Sequence, residues 1–148
     1  MMAGRSDFTQ PGTALVDLEI AWQDRLAEGK VLLAANHHAW AMATGLYALE
    51  IRLKVLICKR LRIDKLPRAF EIHDLDGLLL LSGLSNQLLV KKASAVRSNW
   101  NSIINESRSL NEFRYGPASR WNGPQATQFY QNLEDLPDGV FPWQSRSR

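Results

Sequence analysis

The sequence predicts an all-α protein, an antiparallel bundle of four or five helices with short connections. Three observations carry this. Apolar residues return every three or four positions over most of the chain, as they do on one helix face. No stretch of useful length alternates apolar and polar residues as a strand would. Gly, Pro and Ser punctuate the periodic segments, and there is no repeat or low-complexity block.

Residues 1–13 read as a flexible, polar lead-in that ends around Pro11-Gly12. From Ala14, the residues Leu15, Leu18, Trp22 and Leu26 step by three and four, so a first helix starts there. Glu28-Gly29 reads as its turn or kink. The second and longest helix spans about Val31 to Leu61. Met42, Leu46, Leu49, Leu53 and Leu56 form a heptad-like seam on it, with Arg52, Lys54 and Lys59 on the opposite face. Gly45 marks a point where another helix can approach closely. Pro67 is a stop signal. A short third helix follows, with Asp74 as its cap and Leu75, Leu78 and Leu79 as its stripe, and Ser82-Gly83 ends it. "SNQLLVKKAS" reads as a short helix or turn. A fourth helix covers about Ala93 to Phe113 through Val96, Trp100, Ile103 and Leu110. "ATQFYQNLEDL" is a last helical piece. One helical domain over residues 14–136 results, and residues 137–148 read as an irregular tail.

The 148 residues, 45% apolar and 22% charged, have the make-up of a globular domain with a real core. A net charge of +3 permits an anionic partner without demanding one. The single cysteine, Cys58, excludes an internal disulfide and fits a cytoplasmic protein. The first residues lack the apolar segment of a signal peptide. The uncharged run from Val31 to Leu49 is interrupted by Asn36, His37, His38 and Thr44, so it reads as a buried helix and no membrane contact is expected.

No phosphate-binding glycine loop, dinucleotide fingerprint or zinc spacing is present, so no cofactor is expected. His37 and His38 are adjacent and diverge by about 100° on a helix, which suits no single metal ion. Glu71, Asp74 and Asp76 fit the start of a helix, where negative charge is favoured. Arg68 and His73 admit two readings. They are a surface cation and a helix-start residue, or they are the minimal equipment for cleaving RNA without a metal. An imidazole moves protons near neutrality, and a guanidinium fork fits phosphate oxygens. Lys59, Arg60, Arg62 and Lys65 precede the pair and read either as a phosphate-contacting strip or as cations favoured at a helix C-terminus.

The runs "RLAEGKVLLAANHHAWAMATGLYALEIRLKVLICKRL" and "PRAFEIHDLDGLLLLSGL" resemble bacterial HEPN-domain proteins. The matching positions are Tyr47, Ala48, Glu50, Leu53 and Lys54, then His73, Asp74, Leu75, Leu78 and Leu79, then Trp100, Arg114 and Tyr115. The resemblance covers roughly residues 25–116, and its His-Asp-Leu portion is the most specific part. It implies a helical bundle, frequently a homodimer. Catalytic members are metal-independent endoribonucleases with an Arg, four to six residues, then a His. Arg68 and His73 fit that spacing, and the pairs from two domains meet at the dimer interface. A toxin or phage-defence ribonuclease is therefore implied, with RNA as substrate. Ala69 stands where catalytic members often carry a polar residue. A second implication follows: a non-catalytic module that binds or assembles with a nucleotidyltransferase-type antitoxin or a defence effector.

Overall fold

The structure, a computed structural model, describes residues 10–147. Residues 1–9, most of the expected lead-in, lie outside them. The described chain is an all-α helical bundle. Five helices have eight residues or more: α1 (Leu15–Ala34), α2 (His38–Leu61), α3 (Leu75–Ser82), α5 (Ser94–Ser107) and α7 (Gly123–Glu134). Three shorter ones are α4 (Ser85–Leu88), α6 (Leu110–Tyr115) and α8 (Val140–Arg146).

The centre is α2. It packs against α1 along its length and meets α3, α5, α6 and α7. Hence 15 of its 24 residues are buried, among them every member of the Met42 to Leu56 seam. The same enclosure buries Arg52 and Lys54, which the sequence pattern assigns to an exposed face. Arg52 lies with its guanidinium 4.9 Å from the centre of the Trp22 ring, a cation–π contact.

Two expected boundaries move. Helix α1 runs through Glu28-Gly29 without a break and stops at Ala34, where a single helix from Val31 onward was expected. Asn36 takes a left-handed conformation with φ 64°. The Asn36 N–H donates to Leu33 O at 3.1 Å and the His37 N–H to Leu32 O at 2.9 Å. That pair of bonds is a Schellman motif, and asparagine tolerates its left-handed position. The long helix is thus two, folded back on each other. Gly29 serves packing: a Cβ there would overlap the Tyr130 hydroxyl, which donates to Ala41 O at 2.6 Å. Burial raises the pKa of that hydroxyl, so it stays a donor.

Gly45 is the close-approach point its sequence context implies. A Cβ there would sit 2.5 Å from Phe129 Cε1. Gly45→Ala is therefore expected to destabilise the fold by about 1–3 kcal/mol through overpacking. Urea denaturation checks this as a lower midpoint with an unchanged slope.

The expected fourth helix is also divided. Ser107 Oγ donates to Ile104 O, and the Ser109 N–H donates to Glu106 O at 3.0 Å. These local bonds compete with the helical ladder and separate α5 from α6. Helix α7 begins with a capping box between Asn122 and Gln125, with Pro124 in its first turn.

The C-terminal segment is not irregular. Gly139 precedes α8, and Pro142 falls in its first turn, where a missing N–H costs no helical bond. Val140, Phe141, Trp143 and Gln144 are buried, and the Phe141 ring lies 5.4 Å from that of Trp22. Trp121 also packs within the chain, 4.4 Å from Phe113.

A small antiparallel ribbon, unexpected from the sequence, joins β1 (Pro11–Ala14) to β2 (Lys65–Pro67). Glu71 accepts from the Thr13 N–H at 3.2 Å, so it ties down the ribbon and does not serve the start of α3. No helix among the described residues is long and apolar enough to cross a membrane.

Cys58 has no exposed surface. Burial, with the charge of Asp64, raises its thiol pKa above the ordinary value. The native protein is expected to resist a chromogenic disulfide reagent at pH 8. One thiol per chain should appear on unfolding in guanidinium, so rapid labelling of the folded protein would contradict this burial.

Candidate functional site

The connection between α2 and α3 carries both Arg68 and His73. The ribbon fixes its first half. Arg68 opens a single 3-10 turn, its N–H donates to Gln10 O at 3.2 Å, and its guanidinium donates to Gln10 Oε1 at 3.3 Å. The guanidinium is exposed.

His73 is held from the other side, by α2. Its Nδ1 lies 2.7 Å from Glu50 Oε1. A carboxylate only accepts, so Nδ1 carries the proton, and in the neutral ring Nε2 keeps its lone pair. The imidazole is 82% exposed, whereas the Glu50 side chain is 13% exposed. Glu50 Oε2 is in turn 3.4 Å from Lys54 Nζ, and the Lys54 side chain is 9% exposed. An inward ion pair one helical turn apart thus anchors an outward imidazole. Neither Glu50 nor Lys54 was among the candidate site residues. The resemblance named both without giving them a role, and their i, i+4 spacing, Glu before Lys, was a second signal.

His73 borders a cleft of about 250 Å³ between α2, the start of α3 and the α5–α6 junction. Tyr47, Glu50, Asp74, Asp76 and Arg108 also line it. Asp74 occupies the N-cap position of α3 but makes no side-chain cap bond, contrary to its expected role. Asp76 accepts from Trp100 Nε1 at 3.0 Å. Arg114 donates to the Tyr47 hydroxyl at 2.5 Å, and this bond holds the guanidinium still more firmly protonated. The resemblance named Tyr47, Trp100 and Arg114 without giving them a role. Folding brings the first to the wall of the cleft and bonds the other two to its wall residues.

The basic strip does not share that wall. Arg68 is outside it, and so are Lys59, Arg60, Arg62 and Lys65. Lys59 pairs with Glu19 at 2.6 Å. Burial alone would raise the Glu19 pKa, but hydrogen bonds from Lys59 and Trp22, with the charges of Lys59 and Arg52, hold it below the ordinary carboxylate value. Arg60 donates to Leu81 O at 2.9 Å. Arg62 has φ 54° and closes α2 in a second Schellman motif, with the Ile63 N–H donating to Cys58 O at 3.0 Å. Lys65 lies exposed on β2. Among the described residues no three His, Cys, Asp or Glu side chains are grouped so as to hold a metal ion.

Compared with known protein families, with curated proteins and with solved structures, the chain matches none.

Proposed function

We propose that the chain is a HEPN-type, metal-independent endoribonuclease of the toxin or phage-defence kind, acting as a homodimer. The observation that carries this reading is the His73–Glu50 hydrogen bond: a carboxylate fixes one ring nitrogen while the rest of the imidazole faces solvent at the mouth of a cleft. A base oriented in this way is what proton transfer requires. His73 Nε2 takes the proton from a ribose 2′-hydroxyl. The alkoxide attacks the adjacent phosphorus, the bond to the 5′-oxygen breaks, and the proton passes from the imidazolium through solvent to that leaving oxygen, so that the products end in a 2′,3′-cyclic phosphate and a 5′-hydroxyl. The exposed Arg68 guanidinium stabilises charge on the phosphate oxygens. Because Arg68 lies outside the cleft wall, the two half-sites of a dimer are needed to surround one phosphate. Arg62 and Lys65 are placed on the same connection to contact flanking phosphates.

The test is incubation of the purified protein with mixed single-stranded RNA in EDTA, followed by end-group analysis and sedimentation. Cleavage leaving 2′,3′-cyclic phosphate ends by a dimeric protein is the expected outcome. An inert, folded dimer would sink the ribonuclease reading. The engagement of Arg68 by Gln10, with Ala69 beside it, favours a non-catalytic HEPN module as the second reading. Its partner would be a nucleotidyltransferase or defence effector, recovered by co-purification from the native host.

A further inference from the structure

Helix α2 is enclosed on nearly every side, and between Trp40 and Cys58 it leaves open a single strip. The residues there that are not buried are Trp40, Thr44, Tyr47, Glu50 and Ile51. Steps of three and four put them on one helix face, turn after turn. The strip begins at an exposed ring: Trp40 is 49% exposed, whereas Trp100, Trp121 and Trp143 are buried. It leads to Glu50, which holds His73. Tyr47 stands between, in the wall of the His73 cleft. Thr44 keeps its hydroxyl on Trp40 O at 2.6 Å and adds only a short side chain to the strip.

Cations flank it. Arg114, exposed on α6, donates to the Tyr47 hydroxyl and so reaches the strip. Arg108 lines the cleft from the α5–α6 junction, uses one N–H on Asn105 Oδ1 at 3.3 Å and has others to give. Glu112, on α6, lies 3.8 Å from Arg120. The acids Asp74 and Asp76 belong to a different wall of the cleft, at the start of α3. An aromatic face beside guanidinium groups suits an unpaired nucleotide, whose base stacks on the ring while its phosphate meets the cation. Trp40 and Tyr47 are seven residues apart, about 10 Å along the helix. Neighbouring bases of a duplex strand are about 3.4 Å apart and keep their faces covered. The two rings therefore match an extended single strand. Thr44 and Glu50 interrupt the apolar run that the face of a partner helix needs.

We propose that this strip is a base-stacking track that leads an unpaired RNA strand to His73, with Trp40 and Tyr47 each taking the face of one base and Arg108 and Arg114 on the phosphates beside them. It rests on the reading of His73 as the centre of an RNA-cleaving site. The test is fluorescence anisotropy of the full chain with a short, unstructured 2′-O-methyl RNA, which lacks the attacking hydroxyl, and with the same strand paired to its complement. The single strand should bind the wild type more tightly than the duplex does. Trp40→Leu should weaken the single strand by about tenfold to a hundredfold, while Trp40→Phe, which keeps a ring, retains most of the affinity. The Trp40→Leu loss should leave the salt dependence unchanged, whereas Arg108→Gln should lower the slope of log affinity against log salt by about 0.7, the share of one single-strand phosphate. Equal binding of single strand and duplex, no binding by the wild type, or unchanged affinity in Trp40→Leu would overturn the proposal. So would dissociation of the dimer in Trp40→Leu with RNA affinity kept, which would make the strip an interface between copies. If Trp40→Leu fails to fold, Trp40→His, which keeps a smaller ring, and Arg108→Gln decide, and unchanged affinity in both counts against the track. Binding as expected without cleavage of the unmodified RNA would overturn the ribonuclease reading and leave the track as an RNA-binding surface, so the two failures are distinct.

Discussion

His73→Ala is expected to lower RNA cleavage by about 10²–10⁴-fold, the usual contribution of a positioned general acid or base. The fold should be unaffected. The imidazole is mostly in solvent and its removal leaves Glu50 paired with Lys54. The decisive comparison measures single-turnover cleavage beside thermal unfolding of the same preparations. Cleavage that persists in His73→Ala would remove this residue from the chemistry. Glu50→Gln refines the point. The amide can still accept from Nδ1, but it no longer supports a positive imidazolium, so a smaller loss, about tenfold to a hundredfold, is expected.

Glu50→Ala is expected to behave differently and to cost about 3 kcal/mol of stability. Lys54 Nζ would then be left nearly buried without its partner, and a broken inward ion pair is far more costly than an absent one. The double variant Glu50→Ala with Lys54→Met should recover most of that loss, because no unpaired charge remains. Urea midpoints for the two single variants and the double form the cycle. Additive losses would show that the pair is not coupled. Recovery of stability without recovery of cleavage would separate the anchoring of α2 from the orientation of His73.

The parts of the fold that follow from periodicity were legible in the sequence. The seam from Met42 to Leu56 and the stripe Leu75, Leu78 and Leu79 are buried as their spacing requires. What escaped depends on residues that pattern reading weighs weakly. Asn36 splits a helix because it accepts a left-handed backbone, which no hydrophobic period reveals. Helix α8 was missed because a short segment containing Pro142 shows no period, yet its Phe141 fills space beside Trp22. Arg52 and Lys54 were misplaced because a helix surrounded on nearly all sides has no polar face to give them. At the site, Arg68 and His73 could be read from one short stretch, but Glu50 is 23 residues before His73 and meets it only after α2 and its following connection fold together. The side-chain bond that steadies Arg68 likewise joins residues 58 apart.

The place of α8 bears on how the protein is made. Trp22 belongs to α1, and the Phe141 that packs beside it belongs to α8, which leaves the ribosome much later. Through most of synthesis that flank of the α1–α2 hairpin is therefore bare, and its tryptophan and leucines are open to other nascent chains. A chaperone that shields apolar surface would act in that interval, which ends when Phe141 of α8 arrives beside Trp22.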